Sequence, residues 1–265
     1  LYDVISKHKI DVLHVHYAIP HAYAAYMAKK ILDENGYNIP IITTLHGTDI
    51  TLVGNHPFYK PAVTFSINKS DIVTCVSNSL RDDTREFFGI KRDIEVIPNF
   101  IDIDKYDKKH HLCERNMIAQ GEEKIIVHVS NFRPLKRIID VLKIFDKISQ
   151  KINSKLIMVG DGPDKKKAKD FLRKNDLKNK VIFLGKTNEV DEILCSSDLF
   201  LLPSEKESFG LAALEAMALK VPVISSNVGG LKELNINGNS GYTSDVGDID
   251  SMSNNAIEIL SNENL

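Results

Sequence analysis

Short apolar runs punctuate the chain, each followed by a polar turn and a longer stretch whose apolar positions fall three and four apart. The runs at 12–15, 41–45, 72–76 and 95–97 come first; those at 125–129, 156–159, 181–184, 199–202 and 221–224 follow. Apolar on both faces, they predict buried parallel strands. Between them lie amphipathic segments. Ile138, Val141, Leu142, Phe145 and Ile148, for example, share one helical stripe. Such alternation predicts an α/β protein built from two doubly wound parallel-sheet domains. The pattern breaks over 103–123, where Lys105, Asp107, Lys108, Lys109, His110, His111, Glu114 and Arg115 crowd together. We read that stretch as a linker between domains spanning 1–103 and 104–265. The first domain opens in a helix-like segment, 2–9, and holds no glycine before Gly36, so it reads as N-terminally truncated. The second reads as nearly complete.

Composition narrows the function. Hydrophobic residues at 43 % and charged residues at 26 % suit a globular chain. Thirty-four basic against 36 acidic residues leave a net charge of −2, which disfavours a nucleic-acid binder. No apolar run is long enough to span a bilayer, so no stable membrane insertion is expected. Cys75, Cys113 and Cys195 lie far apart without a CxxC, pointing to a reducing, cytoplasmic compartment and away from a disulfide scaffold. Leu1 is not an initiator Met, so a start upstream is expected. Lys165-Lys166-Lys167 reads as a solvated helix face. A homo-oligomer stays open.

The richest segment is 203–218, Pro-Ser-Glu-Lys-Glu-Ser-Phe-Gly-Leu-Ala-Ala-Leu-Glu-Ala-Met-Ala. It leaves a predicted strand, turns, and enters a helix starting near Gly210. A helix start after a strand's C-terminal end offers free N–H groups to an anion. Glycine there lets backbone approach a ligand closely. On one helix Glu207 and Glu215 would stand about 12 Å apart along the axis, too far to act together. With Glu207 in the turn and Glu215 in the helix, both can line one elongated ligand, and a carboxylate suits the paired hydroxyls of a ribose. His14, His16 and His21 allow a metal reading, but no matching carboxylate cluster follows; a buried, hydrogen-bonded His14 is the simpler one.

Glu207 and Glu215, inside Ser-Phe-Gly-Leu-x-x-Leu-Glu-Ala-Met-Ala, resemble the signature of the family 4 retaining glycosyltransferases of GT-B fold. Gly160-Asp161-Gly162-Pro163, Val221-Pro222-Val223-Ile224 and Val228-Gly229-Gly230-Leu231-Lys232-Glu233 look like the same family's neighbouring turns and strand. Lys220 departs from it: the family usually has glycine there, so an altered turn is expected. The resemblance implies two Rossmann-like domains facing across a cleft. It also implies roles. Glu215 would hold the ribose of a nucleotide sugar, Glu207 would contact the transferred sugar, and Ser208, Phe209, Gly210 and Leu211 would meet sugar and phosphate. Arg133 and Lys136, following a strand, would face the diphosphate, and His46, in a loop, would contact the sugar. No metal or other cofactor is expected, because two protein cations would stand in for magnesium.

Residues 14–21, 44–51 and 129–137 resemble the branch of the family that transfers GlcNAc from UDP-GlcNAc to L-malate, with retention, to open bacillithiol biosynthesis. Tyr17, Thr44, Asn131 and Arg133 are then acceptor candidates. That branch implies an initial strand with a glycine-rich loop and a C-terminal helical tail, both missing here, so the 265 residues alone are expected to be inactive. The alternatives are a family 4 enzyme with an inositol phosphate, glycan or lipid acceptor, a UDP-GlcNAc epimerase of the same fold, and a non-catalytic UDP-binding remnant.

Overall fold

A computed structural model describes residues 1–262 except 55, 108 and 110. Lys108 and His110 of the expected linker, and the last three residues of the 104–265 domain, therefore lie outside the described residues. The chain divides into two compact units, Leu1–Asn99 and Phe100–Leu265. The boundary read from sequence falls a few residues further along.

The first unit carries four parallel strands in the order β1 (Leu13–His16), β2 (Ile41–Leu45), β3 (Ile72–Cys75) and β4 (Glu95–Val96). Helices α1 (Tyr2–His8), α2 (Tyr23–Glu34), α3 (Lys60–Lys69) and α4 (Asn78–Phe88) alternate with them. The start of α4 is capped by Ser77, whose hydroxyl accepts the Leu80 N–H at 3.1 Å. Ile5, Leu13, Ala25, Leu32, Ile39 and Ile41 form one core on this sheet.

The second unit has six parallel strands: β5 (Lys124–Val129), β6 (Ser154–Val159), β7 (Val181–Gly185), β8 (Leu199–Leu202), β9 (Val223–Ser226) and β10 (Gly241–Ser244). Their spatial order is β10-β9-β8-β5-β6-β7. Chain order reverses between β5 and β8, which makes their C-terminal ends the switch point where doubly wound sheets bind ligands. Helices α5 (Ile138–Ser149), α6 (Lys165–Lys174) and α10 (Ile249–Ser261) cover one face. On the other lie α7 (Val190–Cys195), α8 (Leu211–Ala218) and α9 (Leu231–Leu234). Successive strand residues feed opposite cores: Ile126 packs with the α5 face, Ile125 and Val127 with the α8 face.

Four details differ from the sequence expectation. β10 carries no apolar run and is held by pairing with β9. β9 begins two residues after the predicted start, because Pro222 has no N–H to give and instead accepts the Phe200 N–H through its carbonyl, at 2.9 Å. Lys220 adopts φ 58°, the left-handed conformation in which glycine is favoured, so the turn is retained with a lysine in it. Finally, Cys113 and Cys195 are joined in a disulfide, their Cα atoms 5.3 Å apart, while Cys75 is free and buried. The wide sequence separation that argued against a disulfide is closed by the fold. No described helix is long and apolar enough to cross a membrane.

Candidate active site

The loops after β5 and β8 meet at the switch point. The first, 130–137, ends in a short 3₁₀ turn, Pro134–Lys136. The second, 203–210, is tied to it by the Glu205 N–H donating to the Leu135 carbonyl at 2.7 Å. This brings Lys136 and Glu207 together as an ion pair, with side chains only 17 % and 13 % exposed. Ser204, buried at the end of β8, donates to the same Glu207 oxygen at 3.1 Å. Arg133 is exposed where the turn begins and has no ion-pair partner among the described residues. Asn131 is also exposed.

Gly210 precedes α8 with φ 101°, which a side chain would resist, and a Cβ would lie 2.6 Å from Leu231. Packing against Leu231 already requires glycine here, beside the ligand approach expected from the sequence. Gly229, at φ 49°, presses on the same loop: a Cβ there would sit 1.9 Å from the Glu207 carbonyl oxygen. The backbone of 207–210 is thus clamped from behind, with Ser208 and Phe209 half-buried, Leu211 exposed and the α8 amides leading on from them. Glu215 lies on α8. Burial pushes its carboxyl up, Asp191 adds to that, and Tyr106 and Lys105 pull it back, leaving it raised overall. Two residues that the sequence reading passed over anchor the β5 side. The Phe132 N–H donates to Ser130 Oγ at 3.3 Å, Ser130 bonds His128 Nε2 at 2.8 Å, and His128 Nδ1–H donates to the Leu201 carbonyl at 2.8 Å. His128 is fully buried, and burial lowers its pKa to about 4.

In the first unit the ends of β1 and β2 gather His16, Tyr17 and His46. The His16 and His46 rings are hydrogen-bonded at 2.8 Å, and the Tyr17 ring lies 5.0 Å from that of His46. Burial, then His16 and His14, lower the His46 pKa. Asp49, buried and without an assigned role in the sequence reading, holds these loops by accepting N–H groups of Ala18 and Gly47 at 2.8 and 3.0 Å. The Thr44 hydroxyl is engaged by Thr74 at 2.7 Å and His14 at 2.8 Å, inside the sheet. His14 itself is exposed, contrary to the buried reading, while its hydrogen bond to Thr44 agrees with it. His21 bonds the His16 carbonyl. Among the described residues no group of three His, Cys, Asp or Glu side chains is arranged to hold a metal ion.

Two parallel Rossmann-like sheets in separate units are the architecture of the GT-B fold. The chain belongs to the family 4 glycosyltransferases. Residues 114–265 match the model described as Glycosyl transferases group 1, and residues 1–105 match Glycosyltransferase Family 4. It is 44 % identical over 264 residues to the N-acetyl-alpha-D-glucosaminyl L-malate synthase of Bacillus anthracis, covering 99 % of this chain and 68 % of that protein. An uncharacterized glycosyltransferase of Methanocaldococcus jannaschii is 30 % identical, with 99 % and 69 % covered. The fold matches an Anabaena protein solved with UDP and glucose at a TM-score of 0.84 and 20 % identity, covering 99 % and 71 %. Sucrose-phosphate synthase from Thermosynechococcus elongatus matches at 0.81 and 19 %, covering 98 % and 67 %.

Proposed function

We propose that this glycosyltransferase moves GlcNAc from UDP-GlcNAc to the hydroxyl of L-malate, with retention at the anomeric carbon. The Lys136–Glu207 pair beside the start of α8, with Glu215 within that helix, carries the reading. It supplies a cation for a diphosphate, amides for its oxygens and a carboxylate for a ribose diol. The 44 % identity to a GlcNAc–malate synthase supports the choice of sugar and acceptor.

In the proposed step the bond from anomeric carbon to diphosphate oxygen breaks, the malate hydroxyl oxygen bonds that carbon, and the hydroxyl proton goes to the departing UDP. A double displacement would need two carboxyl groups about 5 Å apart flanking the anomeric carbon. Glu207 is instead neutralised by Lys136, which suits contact with the sugar hydroxyls more than nucleophilic attack. Arg133, Lys136 and the amides after Gly210 would stabilise the leaving diphosphate. Ser208, Phe209 and Leu211 would line the donor. We assign His46 to the sugar and Tyr17 to malate; the Thr44 hydroxyl, held inside the sheet by Thr74 and His14, is not free for the acceptor role expected of it. Asn131, exposed in the loop after β5, is a further malate candidate. These cations would perform the task without a metal, and the reaction would run in the cytoplasm. The test is mass spectrometry of reactions of the full-length protein containing UDP-GlcNAc with and without L-malate. A GlcNAc–malate product with stoichiometric UDP is expected; epimerised UDP-sugar without acceptor, or no turnover beside intact UDP binding, would replace the reading.

A further inference from the structure

Tyr17 stands just past the end of β1 with φ 75° and ψ 134°, a conformation that a residue with a bulky side chain keeps only where its surroundings hold it. It is gripped on both sides. Its own N–H donates to the Thr44 carbonyl at 2.8 Å, and the next N–H, that of Ala18, donates to Asp49 Oδ2 at 2.8 Å. The other oxygen of the same side chain, Oδ1, accepts the N–H groups of Gly47 at 3.0 Å and of His46 at 3.3 Å. Asp49 is only 2 % exposed, so water does not compete for these oxygens. One side chain, from the turn Thr48–Leu52, thus ties the backbone after β1 to the backbone after β2. The rings carried by that backbone stand together. The Tyr17 and His46 centroids are 5.0 Å apart, and His16 Nδ1 engages His46 Nε2 at 2.8 Å, which leaves Nδ1 of His46 for a ligand.

We infer that Asp49 is a positioning residue for the transfer: through the amides of Ala18, His46 and Gly47 it holds Tyr17 for the acceptor and His46 for the sugar in one fixed relation. The inference rests on the assignment of Tyr17 and His46 given above. Transfer needs the acceptor oxygen about 3–3.5 Å from the anomeric carbon, so small displacements of the groups that place acceptor and sugar are costly. Without the tie at Ala18, the Tyr17 backbone is free to relax out of its left-handed conformation and carry the ring with it. A carboxylate suits this task. N–H groups converging from two sides need two acceptors, and a carboxylate offers two oxygens and no donor. Asparagine fills the same volume but sets an NH₂ group where one oxygen stood, so that a donor faces a donor.

The test is steady-state kinetics of the full-length protein with UDP-GlcNAc and L-malate, below the unfolding range of every variant, beside calorimetry with UDP. Asp49→Asn should raise the malate KM about tenfold and lower kcat about tenfold, together about 10² in kcat/KM, the loss that follows a displacement of roughly 1 Å. UDP affinity should stay native, because the diphosphate and ribose are assigned to the second unit. Tyr17→Phe should raise the malate KM by itself, and adding Asp49→Asn to it should raise that KM no more than about twofold further. Asp49→Ser, which keeps one acceptor, is the second variant should the asparagine chain not fold, and the same split is expected of it. A lower Tm beside native kcat and malate KM would mark Asp49 as structural only and overturn the inference. So would a matching loss of UDP affinity, or the full tenfold effect on malate KM in the Tyr17→Phe background. Wild type that forms no GlcNAc–malate, or a Tyr17→Phe chain with native malate KM, would remove the assignment of Tyr17 and this inference with it; a native Asp49→Asn chain beside a sensitive Tyr17→Phe chain removes the inference alone.

Discussion

At the scale of single residues, Lys136 and Glu207 have both a structural and a proposed chemical duty, and these can be separated. The pair is largely buried, so removing the lysine strands a carboxylate away from water. Lys136→Ala should therefore lower the Tm as well as turnover, and turnover should fall at least about 10²-fold, as for loss of one donor to a developing anion. Adding Glu207→Gln should recover the Tm and leave turnover low; a double variant with near-native activity would take Lys136 out of the reaction. Lys220 offers a test with no functional content. It holds φ 58° with an exposed side chain, and a left-handed residue with a Cβ costs roughly 1 kcal/mol. Lys220→Gly should raise denaturant stability by about that amount, read as a higher urea midpoint with unchanged slope. The candidates named from sequence share one property: Lys136, Glu207 and Glu215 belong to local strand–turn–helix patterns, and the family resemblance of those patterns implied their roles. Asp49, His128 and Ser130 were not legible in that way, because their roles arise from partners brought in by the sheet.

At the scale of elements, the strands were readable because burial on both faces leaves a run of apolar residues, as in Leu199–Leu202, where every residue is buried. β10 escaped detection for the same reason inverted: Gly241-Tyr242-Thr243-Ser244 sits at the sheet edge, half-buried in the middle, and needs no apolar run. The ties Cys113–Cys195 and His111–Glu192 had no local signature either, since their partners stand some 80 residues apart in sequence. The loop leading to α8 is set by an equally distant contact, Gly229 against the Glu207 carbonyl. Gly229→Ala would force backbone against backbone at a left-handed φ, a combined loss of roughly 2–4 kcal/mol. Its mark should be a lower Tm together with weakened UDP binding, because 207–210 must move. Alanine accepted there with native values of both would mean that the clamp does not set the loop.

At the scale of the molecule, two compact units are expected to unfold in two transitions, and the buried relay at the switch point assigns an acid response to that of Phe100–Leu265. His128 is neutral in the fold: one ring nitrogen donates to Leu201 and the other is engaged by Ser130, and a proton added to the ring would place a charge where no water reaches it. Burial takes its pKa from an ordinary 6.5 to about 4. The sign follows from linkage. Above 6.5 the imidazole is neutral in both folded and unfolded chains and pH does not matter. As pH falls below 6.5 the unfolded chain takes up a proton that the folded one refuses, so stability declines until about pH 4, by roughly 3 kcal/mol in total. Scanning calorimetry between pH 7 and pH 4 should show one transition, that of Phe100–Leu265, moving down by this amount through His128. His128→Gln, which removes the titration, should flatten that decline while keeping a donor and an acceptor on the side chain. A wild-type and a variant transition that fall in parallel would mean that the acid sensitivity of the donor unit is carried by its carboxylates, and that His128 titrates alike in the folded and unfolded chains.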